Sequence, residues 1–139
     1  MPSWEHFAHG ADIGIRGIGE TPAAAFSQAL VAIAALMTDP DRVSGAEMAT
    51  IRCEARDLND LFYDFVDAVV FEMSTRRMIF VRAEVSIEGA RLEAQLFGEP
   101  VDRARHEPAV EVKGPTYTQL SVTRDPERAR WVAQCVVDV

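Results

Sequence analysis

Val81-Arg82-Ala83-Glu84-Val85-Ser86-Ile87-Glu88-Gly89-Ala90-Arg91-Leu92-Glu93-Ala94-Gln95-Leu96 is the stretch that decides the fold. Val81, Ala83, Val85 and Ile87 alternate with Arg82, Glu84, Ser86 and Glu88; after Gly89-Ala90, Leu92, Ala94 and Leu96 alternate with Arg91, Glu93 and Gln95. Successive side chains of a strand point to opposite faces, so this spacing predicts two half-buried strands. Gly89-Ala90 is a two-residue connection whose glycine can take the positive φ that tight hairpins need, with Glu88 facing Arg91 across it. An antiparallel sheet with one apolar face follows, and that face needs a cover.

Working outward, two amphipathic helices supply the cover. Upstream of the hairpin, Leu58, Leu61, Phe62, Phe65, Val69 and Met73 form one apolar stripe. It predicts a helix from about Leu58 to Thr75, with Asp57 as N-cap and Asp60 in the first turn where the helix dipole favours an acid. Asp60, Asp64 and Asp67 lie off the stripe, on a solvated face or, alternatively, a partner-docking face. Earlier, Thr21-Pro22 reads as N-cap and first helical position, and Ala25, Phe26, Ala29, Leu30, Ile33 and Met37 recur at helical steps until Asp39-Pro40. Between the helices Met48–Ala55 reads as a strand. Residues 4–16 predict a short strand after a bend at His9-Gly10. Further strands are expected at Ala109–Lys113, Thr116–Val122 and Trp131–Val137, separated by breaks at Gly114-Pro115 and Asp125-Pro126. The expectation is a single α+β domain over residues 1–139, a sandwich in which two helices pack on one face of a mainly antiparallel sheet.

Composition narrows the function. With 48% apolar and 26% charged residues, the 139-residue chain can bury a core, which excludes disorder for the bulk. No apolar run approaches a membrane span, and the N-terminus lacks a secretion signal, so a soluble cytoplasmic protein is expected. Cys53 and Cys135 form no Cys-x-x-Cys and read as small buried hydrophobes. The net charge is −8, of which −7 falls in residues 1–70. Such a chain lacks the basic face that displaces counterions from a nucleic acid, and suits docking on a basic protein or holding a cation. No phosphate loop or dinucleotide fingerprint is present, so independent nucleotide binding is not expected.

Several residues could carry chemistry. Asp12 and Asp138 are carboxylates at otherwise apolar strand ends, and the carboxylate of Val139 lies directly beside Asp138. If the first and last strands are neighbours, three anionic groups converge, and they repel unless protonated or bridged by a cation. Oxygen-only ligation selects a hard ion, Ca²⁺ or Mg²⁺, with Mn²⁺ possible. Without that adjacency, Asp12 caps a turn and Asp138 is solvated. His9 and His106 are lone histidines in connections, with no nucleophile paired to either by spacing. Lys113 is the one lysine beside thirteen arginines, a compact ammonium in Lys113-Gly114-Pro115-Thr116-Tyr117.

Taken in order, His9-Gly10-Ala11-Asp12, Met37-Thr38-Asp39, Asp57-Leu58, Arg105-His106, Glu111-Val112-Lys113, Thr116-Tyr117 and Val137-Asp138-Val139 resemble the archease family from Trp4 to Val139. The resemblance implies an activator of a GTP-dependent RNA ligase of the RtcB type in tRNA splicing or RNA repair. Such an activator promotes guanylylation and multiple turnover of the ligase, has no ligase chemistry of its own, and meets RNA only through it. It also implies that Asp12, Asp138 and Val139 hold the metal, and that Lys113 contacts the ligase or its phosphates. Independently of the resemblance, His9 and His106 are kept as further candidates for partner or phosphate contact. Gly10 stands where the family usually has Thr, and Pro115 follows Gly114 where it usually has an aliphatic residue; both bear on partner docking. Two other readings stay open: a small metal-dependent phosphoester hydrolase with His9 or His106 as base, and a general RNA-protein chaperone using the Asp60, Asp64 and Asp67 face.

Overall fold

The structure, a computed structural model, describes residues 2–139. In chain order the elements are β1 (Ser3–His9), β2 (Asp12–Gly19), α1 (Pro22–Met37), a 3-10 turn (Pro40–Arg42) and β3 (Glu47–Glu54). There follow α2 (Leu58–Arg76), β4 (Met78–Glu88), β5 (Arg91–Pro100), α3 (Arg103–His106), β6 (Gly114–Pro115), β7 (Ser121–Asp125) and β8 (Arg130–Asp138). The deciding hairpin is β4–β5, with Glu88 opposite Arg91 and Gly89 at φ 60°. Both helix starts are capped as their sequences require. Thr21 accepts from Ala24 N–H with Pro22 at the first helical turn, and Asp57 accepts from Asp60 N–H.

The α+β class holds, but one sheet becomes two. All the strand pairs are antiparallel. The smaller sheet runs β3-β5-β4; the larger runs β1-β2-β8-β6, with β7 also paired to β8. Both helices pack against strands of both sheets rather than on one face of a single sheet. α1 lies along β2 and β8 of the larger sheet and on β4 of the smaller, where Ser27 Oγ donates to Ala83 O at 2.7 Å. Gly17 makes the close approach possible, since a Cβ there would sit 1.9 Å from Ala25 O. The core between the layers centres on Phe26, Phe62 and Phe65, whose rings meet edge-on or tilted at 4.9 and 5.5 Å around Phe26.

Other expectations need correction. Residues before the His9-Gly10 bend are themselves a strand, β1, making a hairpin with β2. Residues 109–113 form no strand; the chain there is tied by Ala109 N–H to Met37 O and Lys113 N–H to Asp138 O. Gly114-Pro115, read as a break, is instead a short paired strand beside β8. The four-residue α3 was not expected at all.

Candidate functional site

The larger sheet brings the two ends of the chain together. β2 and β8 are antiparallel with Ile13 opposite Val137, so one step further Asp12 stands opposite Asp138. On the other side of Asp12 the β1–β2 hairpin sets His9, and on the other side of Asp138 stands Gly114. Opposite residues of antiparallel strands direct their side chains to the same face. His9, Asp12 and Asp138 therefore form a row on the solvent face, whereas Ile15, Cys135 and Val137 point into the core. Gly10, at φ 59°, makes the turn that places Asp12 at the start of β2, a left-handed conformation for which glycine has no steric cost.

The last strand is held firmly. Lys113 N–H donates to Asp138 O at 2.7 Å, Thr116 N–H and Oγ1 donate to Val136 O at 2.9 and 2.8 Å, and Val136 N–H donates to Thr118 O at 3.0 Å. By contrast, the row's acids are unengaged. Asp12, Asp138 and Val139 are exposed, and among the described residues neither aspartate side chain makes a hydrogen bond or ion pair. Exposed in this way, they carry no desolvation cost despite their apolar neighbours in sequence. The side-chain oxygens of Asp12 and Asp138 are hard donors, the type that Ca²⁺ or Mg²⁺ prefers over softer metals. Among the described residues no group of three or more His, Cys, Asp and Glu side chains is arranged to hold a metal.

His106 is not a contact residue. Its ring is 1% exposed, Nδ1 accepts from Asp102 N–H at 2.9 Å, and Nε2 therefore carries the hydrogen it donates to Glu99 Oε2 at 3.0 Å. Thr38 Oγ1 donates to the His106 carbonyl. Glu99 also accepts from Ser44 N–H at 2.7 Å and pairs with Arg105. Its carboxyl is held below the ordinary range, first by the Ser44 amide and then by His106. Both ring nitrogens are used, so this is a fastening between α3, β5 and the end of α1.

Lys113 is placed by two separate features. Its amide fastens Asp138, and the residue also lines an open groove of about 680 Å³ between α2 and β3, together with Cys53, Glu54, Asp64, Asp67 and Phe71. Asp64 and Asp67 are therefore groove walls, whereas Asp60 is paired to Arg56 at 2.7 Å. Partial burial, then Asp60 and Asp67, push the Asp64 carboxyl up. Burial, then Asp64 and Asp67, push the half-buried Cys53 thiol up to about 11. Cys135 is a core residue, its thiol raised by burial to about 12. A further surface feature escaped the sequence reading: Tyr117, 70% exposed, stacks on Tyr63 with centroids 4.3 Å apart and planes 2° from parallel. Only the position of Tyr117 next to Thr116 hinted at it.

An α+β domain of two antiparallel sheets clasping two helices, with an exposed acidic row where its first hairpin meets its last strand, defines the class of protein. Comparison with known proteins places it further. The model of the archease protein family (MTH1598/TM1083) matches residues 4–139. Over 143 aligned residues and the full length of both chains, the sequence is 35% identical to protein archease of Pyrococcus abyssi and 36% identical to that of Methanopyrus kandleri. The solution structure of Methanobacterium thermoautotrophicum protein 1598 superposes with a TM-score of 0.80 at 22% identity, covering 99% of each chain. The crystal structure of a Thermotoga maritima archease, described as a possible chaperone, gives 0.58 at 19% identity over 97% of this chain and 96% of that one. The chain belongs to the archease family.

Proposed function

We propose that this protein is a cation-dependent activator of a GTP-dependent RNA ligase of the RtcB type, with Asp12, Asp138 and the Val139 carboxylate as the ligands of a divalent ion. The observation that carries the reading is the register that sets Asp12 against Asp138, both solvent-exposed and, among the described residues, neither carboxylate engaged in a hydrogen bond or ion pair. Carboxylates that do nothing for their own fold, converging from opposite ends of a chain, are what a ligand site requires. A bound cation would neutralise their mutual repulsion and present a positive charge to a phosphate or carboxylate of the partner. His9 and Lys113 lie at the same end of the sheet, His9 on the solvent face and Lys113 through its amide to Asp138. The net charge of −8 favours approach to a basic, RNA-binding partner.

The test pairs the protein with a ligase from the same source and follows joining of 3′-phosphate to 5′-hydroxyl RNA ends under multiple turnover. Asp12→Ala and Asp138→Ala should abolish the stimulation while circular dichroism stays native, and calorimetry should show cation binding lost in both. Undiminished stimulation by either variant overturns the reading. Metal-dependent phosphoester hydrolysis by the isolated protein, lost in Asp12→Ala, would replace it with a hydrolase.

A further inference from the structure

The groove beside α2 has one wall that is an unpaired strand edge. β3 ends the smaller sheet, flanked by β5 alone, and among the described residues no hydrogen bond reaches its backbone from outside that ladder. An antiparallel strand directs alternate N–H and C=O groups away from its one neighbour, so β3 presents a row of free donors and acceptors along the groove. Proteins ordinarily blunt such an edge with a covering element, a proline, a bulge or charged side chains; β3 has no proline and no bulge, and of its charged residues Arg52 and Glu54 are already paired to Glu93 and Arg91 of β5.

The lining is apolar below and acidic above. Ile51 and Val70 form the buried base, and Phe71 of α2 stands 63% exposed at the rim, a large apolar side chain with no internal partner that requires it. Glu54, Arg52 and Glu72 are matched by Arg91, Glu93 and Arg76; among the described residues Asp64 and Asp67 form no ion pair, and Lys113 is the one further cation in the groove lining, against two acids. Cys53 of β3 faces them: burial first, and then the charges of Asp64 and Asp67, raise its thiol. Free backbone groups, an exposed aromatic and two uncompensated carboxylates side by side match one kind of occupant, an extended segment that alternates basic and aliphatic side chains.

We propose that the β3 edge and the α2 groove form a strand-addition site for an extended basic-aliphatic segment of a partner protein. The segment pairs its backbone with β3, lays aliphatic side chains against Ile51, Val70 and Phe71, and offers its cations to Asp64 and Asp67. A second copy of this chain is the poorer occupant. Two β3 strands paired antiparallel about their centre would set Glu47 of one against Glu54 of the other, and bring two sets of Asp64 and Asp67 into one groove. The site needs neither the cation nor the acidic row at the end of the larger sheet, so its failure leaves the ligase reading standing, and the reverse.

The experiment titrates the full chain, without added metal, with a capped decapeptide of alternating Arg and Val, following backbone amide resonances. Shift changes are expected along residues 48–54 and 64–71, with slowed hydrogen exchange at alternate β3 amides. The same peptide N-methylated at alternate residues should bind at least about tenfold more weakly, as should the parent peptide to Phe71→Ser and to the double variant Asp64→Asn with Asp67→Asn. Both variants change side chains outside the core, and native circular dichroism is the check on folding. Absence of binding at millimolar peptide, equal binding of the N-methylated peptide, or shifts confined to Tyr63 and Tyr117 or to residues 9–12 and 138–139 overturns the proposal. So does a concentration-dependent dimer in sedimentation that Phe71→Ser abolishes, which would assign the edge to a second copy.

Discussion

Two clusters of polar residues invite comparison: the Glu99–His106 fastening and the His9–Asp12–Asp138 row. In the first, every hydrogen-bonding group has a partner: Glu99 accepts from Ser44, His106 and Arg105, and the imidazole is engaged at both nitrogens, under a surface that leaves the ring 1% exposed. In the second, two carboxylates face water and have no hydrogen-bond or ion-pair partner among the described residues. Burial demands satisfaction, because an unpaired polar group away from water costs the full loss of its hydration; exposure does not. A fully satisfied cluster is thereby spent on the fold, and an unsatisfied exposed one remains available to a ligand. The histidine nearer the sequence's polar connection is the structural one, and the acids nearer the chain ends are free.

The comparison can be broken most directly at the buried cluster. Glu99→Ala leaves His106 Nε2–H and Ser44 N–H without acceptors and should cost about 3 kcal/mol in urea-unfolding free energy; a loss below about 1 kcal/mol would remove the contrast. At the exposed row the order reverses. Asp12→Asn should leave unfolding within about 0.5 kcal/mol of wild type, yet weaken Ca²⁺ or Mg²⁺ binding by at least about tenfold in calorimetry. Thr21→Ala, which removes the α1 cap, sets a scale between the two at about 1 kcal/mol. The pH dependence sharpens the assignment further. Glu99's folded-state carboxyl is lowered from its ordinary 4.5, so its contribution is fully present above that value and is lost as pH falls through the lowered one. Acid titration of wild type should therefore show a loss of stability below pH 4.5 that Glu99→Gln lacks in part.

Legibility followed the range of the forces involved. The β4–β5 hairpin, the Thr21-Pro22 start and the Asp57 cap were readable because turn, cap and alternation are settled within a few residues. β1 escaped because six of its seven residues are exposed, which leaves no alternation of burial to imprint on the sequence. α3, of four residues, is too short for any period and is signalled only by Asp102, which caps Ala104 and Arg105. The burial of His106 could not be seen, since its partner Glu99 comes from β5 and is held in turn by Ser44 of the loop before β3. At the acidic row the residue types were legible and their meeting was conditional on which strands pair. Asp64 and Asp67 were placed correctly off the apolar stripe, but not as walls of a groove, because the second wall belongs to β3.

What the sequence determined by itself, then, is local: two capped amphipathic helices, a tight hairpin, an antiparallel α+β domain, and an excess of acid concentrated in its first half. Periodicity, turn chemistry and charge act over a few residues and are written there directly. The tertiary structure alone decided that the strands divide into two sheets, that Asp12 stands against Asp138, that His106 is buried, and that the β3 edge stays open. Each of these depends on pairing or packing between segments distant in the chain, and that choice is made by the burial of the whole core rather than by any stretch of it.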